Sequence, residues 1–296
     1  MAGRVLVFGS SGQVARELAG TVWTKGTVLT FLDRNAADFS VPDRLGATVR
    51  RLEPDAVIVA AAYTAVDRAE DDEAAATIVN ADAPAAIARA AAALSIPVIH
   101  FSTDYVFDGL KGSAYEETDA VGPINAYGRS KLAGEIAVRH ANSRHLILRT
   151  SWLYSAEGAN FLRTMLRLAS RQDSVSVVAD QWGCPTAAPD LARAVARILP
   201  RVIAGDAEWG TYHLAGASAA SWHGFAETIF RALAERGLRR PRNRQVTTVD
   251  YPTPARRPPD SRLSSERFRL VFGPRLPGFE ESVPAVLNAA LARAED

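Results

Sequence analysis

The chain has 296 residues, 48% of them hydrophobic, and its 34 lysine and arginine residues nearly cancel its 33 aspartate and glutamate residues. This length and composition allow one large α/β unit or two domains that share a cleft. The balanced charge excludes a global field that would attract nucleic acid or an anionic membrane, so we expect its partners to be small molecules or a second copy in a homodimer.

The single cysteine, Cys184, excludes an internal disulfide and fits a reducing compartment. The first apolar segment begins at Arg4, which leaves no room for a signal peptide, and no apolar segment reaches the length of a transmembrane helix. The five histidines lack the spacing of metal ligands. We therefore expect a cytoplasmic protein without a bound metal ion.

Short apolar segments alternate with helical segments through the first half of the chain. The apolar segments are RVLVF, VLTFL, AVIVA, PVIHF and HLILR, and helical stretches such as DAPAAIARAAAAL and YGRSKLAGEIAVRH lie between them. This alternation is typical of βαβ units. It predicts a doubly wound parallel (Rossmann) sheet with helices on both faces.

Beyond the fifth apolar segment the alternation weakens. VSVV, at residues 175–178, and the following PDLARAVARIL still resemble a strand and a helix of the sheet, whereas the rest is rich in turns and proline. We assign residues 1–150 and 176–200 to the dinucleotide-binding Rossmann domain, and residues 151–175 and 201–296 to a smaller, discontinuous substrate-binding domain.

The segment GSSGQVA follows the first apolar segment and opens a helix. Gly9 permits a tight turn, Gly12 lets the backbone approach a diphosphate, and the helix N-terminus presents unpaired N–H groups to that anion. A glycine at such a turn also occurs for conformational reasons alone. Asp33, however, lies 21 residues beyond Gly12, near the spacing at which an acid binds the adenosine ribose. The pattern therefore predicts a dinucleotide coenzyme.

The residues after the second strand leave the choice of coenzyme open. Asp33 favours NADH, because a carboxylate at this position binds both ribose hydroxyls. The adjacent Arg34 could instead bind the 2′-phosphate of NADPH. We therefore predict NADPH or NADH without a preference.

Tyr127 and Lys131 are four residues apart in a helical segment, so both project from one face. An ammonium group at that spacing would lower the tyrosine pKa from about 10 toward neutrality, as a general acid for carbonyl reduction requires. Thr103, at the end of the fourth strand, supplies a hydroxyl that can donate to the same substrate oxygen. The alternative is that Thr103 only caps the end of its strand.

Eight segments resemble, in order and approximate spacing, those of the dTDP-4-dehydrorhamnose reductases, which are extended short-chain dehydrogenase/reductases. They are GSSGQVA, DFS, AAYTAVDRAE, STDYVFDG, YGRSK, RTSWLY, QWGCPT and RPPDSRL, and they span nearly the whole chain. The resemblance implies NAD(P)H-dependent reduction of the C4 ketone of dTDP-4-dehydro-L-rhamnose to dTDP-L-rhamnose. In the family this is the last step of dTDP-L-rhamnose synthesis.

The resemblance also implies roles for residues at matching positions. Thr103, Tyr127 and Lys131 would form the catalytic group, with Tyr127 as the proton donor. The resemblance and the glycine turn together predict a set of coenzyme contacts: Gly9, Ser11, Gly12, Gln13, Val14, Asp33, Arg34, Asp38, Phe39, Ala61, Ala62, Tyr63, Tyr127 and Lys131. We expect the dTDP-sugar to contact Asp104, Tyr105, Trp152, Arg257 and Arg262.

Some of these positions have alternative interpretations. Trp152 could be a packed core aromatic, and Arg257 and Arg262 could be solvated loop arginines instead of diphosphate ligands. Some members of the family dimerise around a magnesium ion held by acidic side chains. Of those positions only Glu17 matches, because Pro189 stands where another acid is expected, so we predict no metal site.

Two other functions remain open for this scaffold: another nucleotide-sugar reductase or epimerase, and a non-catalytic NAD(P)-binding regulatory subunit. A dehydratase is disfavoured, because Tyr105 stands where such enzymes need a second acid after the Thr-Asp pair. A regulatory subunit is disfavoured because such proteins typically lose the tyrosine or the lysine. Both residues are present here.

Overall fold

The computed structural model describes residues 3–293. Within this range the strands are β1 (Arg4–Phe8), β2 (Val28–Leu32), β3 (Ala56–Val59), β4 (Val98–Thr103), β5 (His145–Thr150), β6 (Leu153–Tyr154), β7 (Ser174–Val178), β8 (Trp182–Gly183), β9 (Thr186–Ala187), β10 (Gly210–His213), β11 (Ala220–Ser221) and β12 (Arg242–Val246). The α-helices are α1 (Gln13–Gly20), α2 (Pro42–Leu52), α3 (Glu73–Thr77), α4 (Ala83–Ala93), α5 (Ala126–Ala141), α6 (Phe161–Arg171), α7 (Ala188–Ala204), α8 (Trp222–Ala234), α9 (Glu266–Phe272) and α10 (Phe279–Ala292).

The central sheet has six parallel strands in the order β10-β5-β4-β3-β1-β2. β3, β4 and β5 are buried along their whole length, as expected of parallel strands that helices cover on both faces. The predicted doubly wound Rossmann sheet is confirmed. The strand order reverses between β1 and β3, and open α/β sheets bind their ligands at such a switch point.

Strand β1 shows how the two helical layers form. Successive side chains of a strand point to opposite faces of the sheet. Val5 and Val7 therefore belong to the core beneath α1 and α7, whereas Leu6 and Phe8 belong to the core beneath α2 and α4. This arrangement places the start of α1 directly behind the carboxyl end of β1, where the glycine turn lies.

The sequence predicts a strand of the central sheet at residues 175–178, and this prediction is wrong. β7 pairs instead with β12 in a separate two-stranded parallel sheet. Its burial alternates, with Val175 and Val177 inside, whereas a central parallel strand is buried on both faces. The sixth strand of the central sheet is β10, within residues 201–296, and it pairs with β5.

A second hydrophobic core lies around α6, α8 and α10. Its largest side chains include Tyr154, Phe225 and Phe230, all fully buried. Elements from both sides of α7 in the sequence therefore meet in this core. The assignment of two domains with the boundaries given above stays a prediction.

The longest helix of the described range, α7, has 17 residues. Among residues 3–293, no helix combines the length and hydropathy needed to cross a bilayer. Within the same range, no group of three or more histidine, cysteine, aspartate or glutamate side chains has an arrangement that could hold a metal ion.

Candidate active site

A groove of about 860 Å³ runs along the carboxyl ends of β1, β3 and β4. The structure brings together in its walls every residue for which the sequence predicts a coenzyme contact: Gly9, Ser11, Gly12, Gln13, Val14, Asp33, Arg34, Asp38, Phe39, Ala61, Ala62, Tyr63, Tyr127 and Lys131. Thr103, Asp104 and Trp152 line the same groove, whereas Tyr105, Arg257 and Arg262 are not among its lining residues.

The glycine turn forms the end of the groove next to β1. Gly9 has φ 110°, and a Cβ at this position would lie 3.0 Å from the backbone nitrogen of Ala61, so only glycine fits between the neighbouring strands. Gly12 is the N-cap of α1, and no side chain caps the helix there. The first N–H groups of α1 therefore remain available for an anion in the groove.

The segment after β2 gives the groove a polar, open end. Asp33 is exposed, and its Oδ1 accepts a hydrogen bond of 2.8 Å from the backbone nitrogen of Ala36. Hydrogen bonds from Ser40 lower the pKa of Asp38 below its usual range, and Arg34 lies close enough to contribute. Two carboxylates, Asp33 and Asp38, and the guanidinium of Arg34 thus line the predicted adenosine end.

The catalytic candidates come together where α5 begins beside the end of β4. Asn125 caps α5 by accepting a hydrogen bond of 2.7 Å from the backbone nitrogen of Gly128. A Cβ at Gly128 would lie 2.2 Å from the carbonyl oxygen of Tyr105, so glycine is required for this close approach. As a result Tyr127, in the first turn of α5, lines the same part of the groove as Thr103.

Burial controls the protonation of the two catalytic candidates on α5. Removal from water raises the pKa of Tyr127 to about 12, although the nearby Thr103 hydroxyl opposes the shift. Burial lowers the pKa of Lys131 to about 8, and its Nζ donates to the carbonyl oxygen of Phe101 at 2.6 Å. The prediction that Lys131 lowers the pKa of Tyr127 is wrong in this structure, because desolvation dominates at both residues.

A buried ion pair lies beneath Lys131. Arg149 on β5 donates to both carboxylate oxygens of Glu135, at 2.8 and 2.7 Å, and Ser102 donates to the same carboxylate at 2.6 Å. The Glu135 carboxylate is one turn from Lys131 and supports its ammonium form. This bidentate contact fixes α5 to β5 directly below the catalytic candidates. No role is predicted for Glu135 from the sequence, although its i,i+4 spacing from Lys131 indicates that the two side chains share a face of the helix.

Asp104 lines the groove but is saturated with hydroxyl donors. It accepts hydrogen bonds from Thr103 at 3.0 Å, Ser151 at 3.0 Å and Ser261 at 2.5 Å. Burial nevertheless raises its pKa to about 6. The next residue, Tyr105, packs edge-on against Tyr127, and burial also raises the pKa of Tyr105. Asp104 therefore joins the end of β4 to two segments of the second half of the chain.

Trp152 adopts a left-handed backbone conformation with φ 47° at the edge of the groove. Its indole stacks on that of Trp222, with ring centroids 3.4 Å apart and an interplanar angle of 3°. A Cβ at Gly183 would lie 2.3 Å from the Trp152 ring, so the indole is enclosed between Trp222 and this glycine. Trp152 is thus a packed aromatic residue that also reaches the groove.

The two arginines of the proline-rich segment both form ion pairs. Arg257 binds Asp67 through both terminal nitrogens, and its Nη2 lies 2.9 Å from Oδ2. Arg262 binds Asp260, with Nε 2.7 Å from Oδ1. The side chains of Arg257 and Arg262 are only 17% and 31% exposed, so neither is a freely solvated loop arginine. Their predicted contact with a diphosphate stays a prediction.

Other groove residues escaped the sequence predictions, and they include Arg68, Asp72, Ile78, Thr150, Leu153 and Ala159. A signal existed for Thr150, because it ends β5 and pairs with Thr103 across the sheet. Thr103 is predicted as a site residue because it lies at the carboxyl end of a parallel strand, and the same reasoning applies to Thr150. Ile78 begins a π-helical segment, Ile78–Asp82, and the sequence has no comparable signal for it.

A family model described as RmlD substrate binding domain matches residues 3–292. A dTDP-4-dehydrorhamnose reductase from Sinorhizobium fredii is 45% identical over 295 residues, and the match covers 99% of each chain. The chain belongs to this reductase family. The resemblance found in the sequence and the predicted class of enzyme, an NAD(P)H-dependent oxidoreductase, are confirmed at the level of the family.

Two solved structures of the reductase family have the same fold over nearly their whole length. The dTDP-4-dehydrorhamnose reductase from Clostridium acetobutylicum superimposes with a TM-score of 0.90 at 33% identity, covering 98% of this chain and 99% of that chain. The enzyme from Bacillus anthracis, solved in complex with NADP, gives 0.89 at 32% identity, with 97% and 99% covered.

Proposed function

We propose that this protein reduces the C4 ketone of dTDP-4-dehydro-L-rhamnose to dTDP-L-rhamnose with NADPH or NADH, as the last step of dTDP-L-rhamnose synthesis. One observation carries the proposal: Thr103, Tyr127 and Lys131 line the same groove as all the predicted coenzyme contacts. Membership of the reductase family supports the choice of substrate.

The residues of the groove fit a nicotinamide dinucleotide. The free N–H groups at the start of α1 suit the diphosphate, and Asp33 and Arg34 lie at the end that would take the adenosine ribose. Lys131, at the opposite end, suits the hydroxyls of the nicotinamide ribose. The bound coenzyme would supply the hydride. A volume of about 860 Å³ is adequate for a ligand of this class.

The protonation states suit a reduction at neutral pH. Tyr127 keeps its proton because its pKa is about 12, and it can donate that proton to the ketone oxygen as C4 is reduced. The Thr103 hydroxyl donates its single proton to Asp104 in this structure. By turning that proton to the ketone oxygen, it would stabilise the developing negative charge. Lys131, with a pKa of about 8, is mostly an ammonium ion at pH 7.

We place the dTDP-sugar between the end of β4 and the second half of the chain. Asp104 and Trp152 line the groove there, and Tyr105 lies beside Tyr127. Arg257 and Arg262 are the cations that could bind the diphosphate of the sugar nucleotide, once they leave or share their carboxylate partners.

The test mixes the protein with NADH or NADPH and the dTDP-keto-sugar, and follows the coenzyme absorbance. We expect oxidation of the coenzyme that depends on the keto-sugar, with dTDP-L-rhamnose as the product. Coenzyme binding without oxidation would favour the regulatory subunit. Rearrangement of the sugar without net oxidation of coenzyme would favour an epimerase.

A further inference from the structure

The loop between β6 and α6, residues 155–160, lies against the glycine turn. Ala159 of this loop lines the groove, and Arg16 on α1 forms an ion pair with Glu157. Gly158 has φ 74°, and a Cβ there would lie 3.3 Å from Cγ of Gln13. A segment from the second half of the chain therefore contacts the end of the groove where a diphosphate would bind.

Within this loop, main-chain groups fix the orientation of the Asn160 amide. Its Oδ1 accepts a hydrogen bond of 3.0 Å from the backbone nitrogen of Arg163 and so caps α6. Its Nδ2 donates to the carbonyl oxygens of Ser155 and Glu157, both at 3.0 Å. A backbone N–H can only donate and a carbonyl can only accept, so the side-chain amide cannot be turned around.

This fixed orientation determines that of Gln13. Oε1 of Gln13 also lies 3.0 Å from Nδ2 of Asn160, whose two N–H groups are therefore shared among three acceptors. The Ser155 hydroxyl lies 3.2 Å from the same oxygen, but its single proton has a shorter acceptor in the carbonyl oxygen of Glu157, at 2.8 Å. If the Gln13 amide were reversed, two NH2 groups would face each other and the contact would be lost. Since Oε1 points to the loop, the NH2 group is the end left for a ligand in the groove.

We propose that Asn160 is a positioning residue for the coenzyme: it holds the Gln13 amide so that its NH2 group donates a hydrogen bond to the coenzyme diphosphate. The inference rests on the proposed function, because it requires a dinucleotide at the glycine turn. Asn160 itself acts only through Gln13. Its position in the second half of the chain makes coenzyme affinity depend on the contact between the two halves.

The decisive variant is Asn160→Asp. Aspartate caps a helix as well as asparagine does, so α6 keeps its N-cap. The variant lacks the NH2 donor, and Gln13 must turn its own NH2 group toward the new carboxylate and its oxygen toward the diphosphate. Because a hydrogen bond to a charged group is lost, we expect the Kd for NADPH and for NADH to rise about tenfold or more.

The new carboxylate could also repel the diphosphate directly, and Gln13→Ala separates the two effects. We expect Gln13→Ala alone to raise the Kd about tenfold, through loss of the same hydrogen bond. In the Gln13→Ala background, Asn160→Asp should then raise the Kd by less than about twofold further, because the effects of two residues that act through one contact are not additive. An equal loss of affinity in both backgrounds would show direct repulsion and overturn the positioning role.

Affinity is measured on the full chain by calorimetric titration with each coenzyme and no sugar, beside the Tm of each variant. A wild-type protein that binds neither coenzyme would refute the proposed function. Wild-type affinity in Asn160→Asp, with binding intact, would refute only the role of Asn160. If Asn160→Asp does not fold, the neutral cap Asn160→Ser replaces it, and wild-type affinity in that variant refutes the inference equally.

Discussion

The two walls of the cleft differ in what holds their residues. On the Rossmann wall, Thr103 ends a strand, and Tyr127 and Lys131 lie one turn apart on a single helix. On the opposite side, Trp152 is held by Trp222, and Arg257, which is not among the lining residues of the groove, is held by a carboxylate 190 residues away. The first wall is built by local geometry and the second by tertiary contacts.

This difference predicts how variants of the two walls should behave. Substitutions of the catalytic candidates Thr103 and Tyr127 on the Rossmann wall should change the chemistry and leave folding almost unchanged. Substitutions on the opposite wall should change substrate affinity and stability together, because each side chain there also joins distant parts of the chain. The following predictions test this distinction, in order of decreasing expected effect.

The largest effect is expected from Tyr127→Phe, which removes the proposed proton donor and keeps the ring. We expect turnover with the keto-sugar to fall by roughly 10²- to 10⁴-fold, as is typical for loss of a general acid. The Kd for coenzyme and the Tm should stay near wild-type values. Tyr251→Phe is the matched control, since Tyr251 is 59% exposed. Turnover that survives in Tyr127→Phe would assign the proton to another group.

Asp104 joins the two walls, and Asp104→Asn should change how stability depends on pH. Burial raises the pKa of Asp104 from 3.8 to about 6, so the folded state favours the protonated carboxyl. The stability that this protonated carboxyl contributes is present below about pH 4 and is lost as the pH rises through about 6. Two pKa units correspond to roughly 3 kcal/mol.

We therefore expect Asp104→Asn to gain stability relative to the wild type between pH 4 and pH 7, by up to roughly 3 kcal/mol. Urea unfolding of both proteins at the two pH values measures the change. A difference between variant and wild type that is the same at both pH values would mean that Asp104 keeps its ordinary pKa in the folded protein.

Lys131 should give the reaction an alkaline limit. Because burial lowers its pKa from 10.5 to about 8, the ammonium form is lost above that pH. We expect kcat/KM to fall about tenfold per pH unit in that range. Lys111→Gln is the control, and its pH profile should keep the same alkaline limit, since Lys111 lies outside the groove and is partly exposed. A pH profile that stays flat to pH 10 would contradict the role of Lys131.

The smallest effect, and the one that tests the opposite wall, is expected from Arg257→Ala. Loss of a charged contact to the sugar diphosphate should raise the KM for the keto-sugar about tenfold, without a change in the KM for coenzyme. The Tm should also fall, because Asp67 loses its partner.

Asp67→Asn is the matched variant for this prediction. It should lower the Tm in the same way and leave the KM for the keto-sugar unchanged, because Arg257 remains. If both variants raise the KM equally, Arg257 acts by holding the proline-rich segment, and its predicted contact with the substrate is wrong. Initial rates and thermal unfolding of the two variants decide between these outcomes.

The sixth strand of the sheet shows where sequence patterns fail. VSVV has the β-branched residues of a strand, but its alternating burial fits a small sheet with one covered face. β10 contains only the four residues GTYH and lacks an apolar run. It joins the central sheet because Tyr212 packs against Phe268 and Phe272 of α9, a contact that no local pattern indicates.

The sequence by itself determined the Rossmann sheet, the glycine turn and the shared face of Tyr127 and Lys131, because strand periodicity, turn conformation and helical spacing act over a few residues. Only the tertiary structure decided the raised pKa of Tyr127, since desolvation depends on everything packed around a group. It also decided that Asn160 meets Gln13 across 147 residues of chain. Such contacts follow from how the two halves pack, and local sequence does not specify that packing.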